Sequence, residues 1–174
     1  MCIVAMAIDC HPRFPLVIAA NRDEFFDRPT ARLAWWQPEP SAPDLAILGG
    51  RDLKEGGTWL GLNPTGRVAL VTNIRAPLPP DAPGASRGHL VPKWLRAGGP
   101  PELSASKPVN LLAADCAEGT FWWASSMHPS AMHLGPGLHG LSNAQLDTPW
   151  PKVKKLKERV AGALDSGAAG SLHT

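Results

Sequence analysis

Cysteine is scarce in this chain of 174 residues, with only Cys2, Cys10 and Cys116 present. An odd count without a C-x-x-C pair supports neither a disulfide scaffold nor a zinc knuckle, and it fits a reducing compartment. The six histidines, at positions 11, 89, 128, 133, 139 and 173, form no H-E-x-x-H and no close metal-spaced set, so no metal site is expected. Gly49-Gly50-Arg51-Asp52 and Gly56-Gly57-Thr58-Trp59-Leu60-Gly61 lack the spacings that cradle phosphates. Turns and a close backbone approach are what remain for those glycines. A formal net charge of +2 gives no electrostatic case for nucleic acid or an anionic membrane. The apolar start is broken by Asp9, has no basic stretch before it, and Leu16–Ala20 runs into Arg22-Asp23-Glu24. Neither a signal peptide nor a membrane span is expected, and the predicted location is cytoplasmic.

What is present reads as one domain with several short strands and two helices. Ile3–Ile8 and Leu16–Ala20 are apolar, partly β-branched runs around Asp9-Cys10-His11-Pro12-Arg13, the pattern of a hairpin. Pro29 to Asp44 reads as a long proline-rich connection. Ala46–Gly49, Thr58–Leu62 and Arg67–Thr72 read as strands, the last two joined through Asn63-Pro64-Thr65-Gly66. Ala76–Ser86 is a Pro/Gly loop, Arg87–Leu95 a helix, and Asn110–Asp115 with Phe121–Ser125 a second hairpin. Val153, Leu156, Val160 and Leu164 recur at helical spacing behind Pro149 and Pro151, predicting a helix over about 149–164. Lys152, Lys154, Lys155, Lys157 and Arg159 on it read as a solvated face. The domain is expected over 1–164, with 165–174 a disordered tail.

Three groups of residues could carry chemistry. Removal of Met1 before a small residue would leave Cys2 with a thiol and a free α-amine, so that one residue holds a nucleophile and its own base. The plain alternative is a small apolar residue opening a buried strand. The string Asn21-Arg22-Asp23-Glu24-Phe25-Phe26-Asp27-Arg28 follows the second strand, and a hairpin register could set Arg22 or Asp23 beside that thiol and amine. An exposed turn is the alternative there. Asn73 and Asn143 each end an apolar strand, where a side-chain amide can donate to a developing oxyanion or simply form a turn. The seven tryptophans, among them Trp59, could line a hydrophobic cleft, although core packing is the commoner use.

In order along the chain, Met1-Cys2, AANRDEFFDRP, ILGGRD, GGTWLG, GRVALVTNIRAP, SRGHLV and HGLSNAQLDTPWPKV resemble the NRDE family, also called the transport and Golgi organisation protein two family. That resemblance implies an N-terminal-nucleophile hydrolase-like fold, an α+β sandwich of four αββα layers with antiparallel sheets. It also implies an intracellular role in haem trafficking or lipid homeostasis. More distantly the layout is similar to choloylglycine hydrolases and penicillin V acylases, which cut amides with an N-terminal cysteine. By that likeness Cys2 matches the nucleophile, Asp23 the residue orienting it, and Asn143 the oxyanion asparagine. Asn73 matches less well, and Arg22 is displaced because Ala20 stands where those enzymes carry arginine. A Tyr-Gly-Thr-Arg-like segment of the family does not occur here, so the sandwich is expected to be incomplete at its C-terminus. The reading that follows is a carrier of haem or another small amphipathic ligand in a cleft near Cys2, with Asn21, Asn73 and Trp59 contributing to binding and no cofactor required. The alternatives are an N-terminal cysteine amidohydrolase using Cys2, Arg22, Asp23 and Asn143, and an inactive remnant.

Overall fold

A computed structural model describes residues 2–38, 45–75, 84, 86–103 and 107–166. Strands dominate, as β1 Ile3–His11, β2 Phe14–Asn21, β3 Thr30–Trp36, β4 Ile47–Asp52, β5 Leu60–Leu62, β6 Arg67–Asn73, β7 Val109–Asp115, β8 Thr120–Ser125, β9 Met132–His133 and β10 Gly137–Leu141. The helices are α1 Leu90–Ala97, entered through a 3-10 turn at Arg87–His89, and α2 Pro151–Asp165. All strand pairings are antiparallel, so the fold is α+β with few helices. The chain divides into two compact units, Met1–Asp23 with Gly135–Thr174, and Glu24–Leu134.

In the first unit β1 is the centre of a three-stranded sheet ordered β10-β1-β2. The register pairs Ile3 with Asn21 and Val4 with both Ala20 and Leu141. Period-2 alternation sends Ala5 and Ala7 to one face, where Val160 and Leu164 of α2 pack on them with Val17, Ala19, Leu138 and Leu156 around. Val4, Met6, Ile8 and Leu141 take the opposite face and are at most 2% exposed. The helix starts where Pro151 supplies a fixed φ at its first position. It lies so close to β10 that a Cβ on Gly140 would come within 2.5 Å of Val153 Cγ1. Glycine therefore lets the helix lie this close to the strand.

In the second unit seven strands run in chain order, β3-β4-β5-β6-β7-β8-β9. One face is covered by α1, whose Leu90, Val91, Trp94 and Leu95 pack with Ile47, Ala69, Val71, Val109, Leu111 and Ala113. The two glycine-rich sequence blocks meet here. A Cβ on Gly57 would stand 2.5 Å from the Gly88 carbonyl carbon, and Thr58 donates its backbone N–H to Gly88 at 3.1 Å. The close backbone approach expected of the second block is thus made with Gly88, which lies outside both blocks, while Gly56 at φ 80° makes the adjoining turn. Arg28 donates twice to Asp52 Oδ2, at 2.9 and 2.7 Å, so the end of the NRDE string is tied to the end of β4.

Several boundaries differ from the sequence expectations. The first hairpin is longer than predicted, because Asp9-Cys10-His11 continue β1 through a register shift with Asp9 at φ 50°, leaving only Pro12 and Arg13 as the turn. The proline-rich connection is wrong over Thr30–Trp36, which forms β3; residues 39–44 lie outside the described part. The predicted helix at 87–95 opens as a 3-10 turn and runs on to Ala97. Most of the 76–86 loop and residues 167–174 of the expected tail also lie outside the described residues, while Asp165 is the last residue of α2.

Candidate site at the Cys2 end of the three-stranded sheet

Cys2 precedes β1 directly and is half-buried with a free thiol. Carried past its last paired residues, the antiparallel register of β1 aligns Cys2 with Arg22 on one side and with Asn143 on the other. The pairing itself ends at Ile3 with Asn21 and at Val4 with Leu141, so Cys2 and Arg22 lie one residue, and Asn143 two residues, beyond the paired ends of the three strands. A direct contact fixes one side of this arrangement. Ser142 Oγ donates to the Cys2 carbonyl at 2.6 Å and lies 3.1 Å from Asn143 Oδ1. A hydroxyl has one hydrogen and the backbone carbonyl can only accept, so that hydrogen belongs to Cys2. Ser142 and Asn143 are both buried.

The other sequence candidates are distributed as follows. Asn21 is exposed, ends β2 and faces the α2 side, since its cross-strand partner is Ile3. Asp23 is exposed and closes the first stretch of the first unit. Asn73 and Trp59 belong to the second unit: Asn73 ends β6 opposite Val109, and Trp59 is half-buried against the α1-covered core, with its carbonyl accepting from Val71 at 2.9 Å. Trp36 and Trp122 also pack on that core, and Trp94 is buried within it. Among the described residues, most of the tryptophan surface is thus spent on packing. Trp35, by contrast, is 54% exposed.

Sequence reasoning passed over two residues of the segment that carries Asn143. Ser142 is one. The other is Asp147, at φ 54°, which exchanges backbone and side-chain bonds with Gly140 of β10. Burial opposes ionisation of Asp147, but the hydrogen bond from Lys157, the Gly140 N–H and His139 outweigh it, and the carboxyl sits below its ordinary range. The only sequence signal was local: a serine immediately before Asn143, and an aspartate just ahead of the turn-forming Thr148-Pro149.

Chemically, this end of the sheet holds a thiol, a guanidinium-bearing residue and an amide. Such a set can meet an anionic or carbonyl-bearing head group, with the thiol as nucleophile or soft ligand. Among the described residues no three His, Cys, Asp or Glu side chains are grouped to hold a metal ion, and no helix is long and apolar enough to cross a membrane.

Comparison with known proteins adds a family. The model of the family described as Transport and Golgi organisation 2 matches residues 1–171. The Homo sapiens Transport and Golgi organization protein 2 homolog is 37% identical over 190 residues, covering 97% of this chain and 66% of that protein. The Mus musculus homolog is 34% identical over 191 residues with the same two coverages. The Drosophila melanogaster Transport and Golgi organization protein 2 is 35% identical over 105 residues, or 55% of this chain. The chain spans 66% of the length of the two mammalian relatives.

Proposed function

The chain belongs to the Transport and Golgi organisation 2 family, and on that premise we propose that it binds and carries a small amphipathic ligand at the Cys2 end of its three-stranded sheet. Haem is the ligand that suits the chemistry best. Its carboxylates match Arg22 and the Asn143 amide, and a cysteine thiolate is a known iron ligand. The observation that supports this most is the Ser142 hydroxyl, which donates to the Cys2 carbonyl at 2.6 Å and lies 3.1 Å from the buried Asn143, setting that amide beside the start of β1. The setting we propose is the cytoplasm, which suits three cysteines that all carry free thiols. The αββα sandwich of N-terminal-nucleophile hydrolases is the architecture we propose for the family's whole chain, since two antiparallel sheets and one helix on each are its ingredients.

Titration with haemin tests the reading. A saturable shift of the Soret band is expected at micromolar protein, weakened by Cys2→Ala and by Arg22→Ala. No saturable change in the unmodified protein would end it.

One observation favours a second reading, amide hydrolysis by Cys2. The Ser142 hydroxyl holds the Cys2 backbone at 2.6 Å while Asn143 lies beside it, an arrangement that orients a nucleophile and sets an amide donor near a tetrahedral oxyanion. Here the thiolate would attack the amide carbonyl, the amine would leave carrying the thiol's proton, and water would then cleave the thioester. With Met1 removed, a panel of acyl p-nitroanilides should release nitroaniline in a burst and leave an acyl adduct on Cys2 by mass spectrometry. A retained Met1 in cellular material would argue against this reading and leave ligand carriage standing.

A further inference from the structure

The segment that carries Ser142 and Asn143 leaves β10 at Leu141 and reaches α2 at Pro151. It contains no regular element that would set its position, yet both side chains are buried. Asp147 accounts for this. Its backbone N–H donates to the Gly140 carbonyl at 2.7 Å, and its Oδ1 accepts the Gly140 N–H at 2.8 Å. That two-way bond closes residues 141–146 into a loop on the last turn of β10. The same Oδ1 receives Lys157 Nζ of α2 at 2.7 Å, and Oδ2 lies 3.4 Å from His139 Nδ1. His139 in turn holds Gly135 through Nε2 at 3.0 Å. One carboxylate thus ties the loop to the strand that enters it and the helix that leaves it. Its φ of 54° is a backbone state that costs a non-glycine residue free energy, and aspartate and asparagine bear it best among side chains.

We propose that Asp147 is the positioning residue of the Cys2 site, its bonds to Gly140 and Lys157 fixing the Ser142–Asn143 arm against Cys2. The proposal rests on reading the Cys2 end of the sheet as the functional site. Asp147 touches neither Cys2 nor any ligand; it acts through the arm. Without the carboxylate, the arm keeps only the backbone bond from the residue 147 N–H to Gly140 and loses its side-chain ties to β10 and α2, the Ser142 hydroxyl leaves the Cys2 carbonyl more often, and the thiol becomes more open to solvent.

The experiment uses the full chain as Asp147→Ala, Asp147→Asn and Lys157→Met, with iodoacetamide as the probe and Cys10, exposed in the same unit, as internal reference. Peptide mass spectrometry gives the ratio of Cys2 to Cys10 alkylation rates, circular dichroism reports folding, and haemin titration runs in parallel. Asp147→Ala should raise the ratio and weaken haemin binding, each by about ten-fold, as loss of orientation commonly does. Asp147→Asn should recover most of both, since its Oδ1 still accepts from Gly140 and its backbone tolerates the positive φ. Lys157→Met, which removes one bond and leaves the loop chemistry alone, should fall between. Should Asp147→Ala not fold, the other two variants decide. A folded Asp147→Ala or Lys157→Met with the unmodified ratio overturns the proposal. If haemin fails to bind the unmodified protein but the ratio moves as stated, ligand carriage falls and the positioning role of Asp147 stands.

Discussion

The two units solve the same problem, a sheet with one face under a helix, by opposite routes. In Glu24–Leu134 each strand pairs with its neighbour in the chain, so the seven-stranded sheet grows by local addition. In the other unit the central strand comes from the start of the chain and its partner β10 arrives 137 residues later, with Val4 beside Leu141. Local pairings cost little chain entropy and long-range ones cost more. The strand pair that costs most to assemble is also the one that brings Cys2 to Asn143. The locally built unit carries the larger core, and the chemistry-bearing residues gather where the two distant segments meet.

The largest effect expected from breaking this contrast lies in the cores. Leu111 is 1% exposed at the centre of the α1-covered face, so Leu111→Ala should cost about 2–5 kcal/mol in urea or thermal unfolding. Val160, 8% exposed where α2 packs on Ala5 and Ala7, loses only two methyl groups in Val160→Ala and should cost about 1–2 kcal/mol. Equal losses would mean that α2 is as deeply committed as α1.

The glycine crossings rank next. Gly57 faces backbone atoms of Gly88 at 2.5, 2.6 and 2.9 Å, which cannot turn away, whereas Gly140 faces side-chain atoms of Val153 and Lys157. Gly57→Ala should cost about 3 kcal/mol, the upper end of overpacking losses, and Gly140→Ala about 1 kcal/mol, since the side chains can yield. Melting temperatures of the two variants side by side check the order.

These contrasts also explain what could be read in advance. The first hairpin was legible because Ile3–Ile8 and Leu16–Ala20 are uninterrupted apolar runs in a sequence otherwise rich in turns. Strand β3 was hidden. Pro29 and Pro38 flank it, Leu33 and Trp35 are exposed, and the register shift between Ala31 and Ala34 breaks the alternation that marks a strand. Within the site, the sequence narrowed the neighbour of Cys2 to Arg22 or Asp23, the two residues that directly follow the Ile3–Asn21 pair at the end of β2. Asn143 was expected to end a strand, but β10 stops at Leu141 and Asn143 lies two residues on, in the bend that leads toward α2. Asp147 was not legible, because its part depends on a positive φ and on Lys157 ten residues further on, neither of which leaves a periodic trace. Trp59 and Asn73 lie in the other unit, a division that no local pattern reports.

A smaller effect is expected from Asn143→Ala. Its side chain is buried and meets Ser142 Oγ, so removing it should cost about 1 kcal/mol of stability. The first-unit sheet should otherwise persist, while haemin affinity falls much further than stability does. If the loss of stability matches that of Leu111→Ala, Asn143 belongs to the core, and the comparison between a fold-bearing and a chemistry-bearing unit fails.

The smallest expected effect concerns acid. In the second unit the hydrogen bond from Arg67 holds the Asp115 carboxyl below its ordinary range despite burial, helped by the Glu118 N–H. Asp52 is pushed up by burial but held lower by Arg28 and the Glu55 and Lys54 amides. In the first unit Asp147 is held low as well, chiefly by Lys157 once burial is overcome. A carboxyl whose folded pKa is depressed binds fewer protons folded than unfolded. Its stabilisation is complete above the unfolded value near ~3.9 and fades as pH falls through the folded one. Stability should therefore decline below about pH 4, and the two units should contribute unequally. The Asp115 side chain is 9% exposed and the Asp147 side chain 39%, so solvent screens the latter pair more. Urea midpoints measured from neutral pH down to the acid limb should show a flatter decline for Asp115→Asn than for Asp147→Asn, with Asp147→Asn nearly parallel to the unmodified protein. If Asp147→Asn flattens the decline as much as Asp115→Asn does, its pair is protected from solvent in solution, and the more lightly held unit carries an electrostatic clamp as strong as the one on the larger sheet.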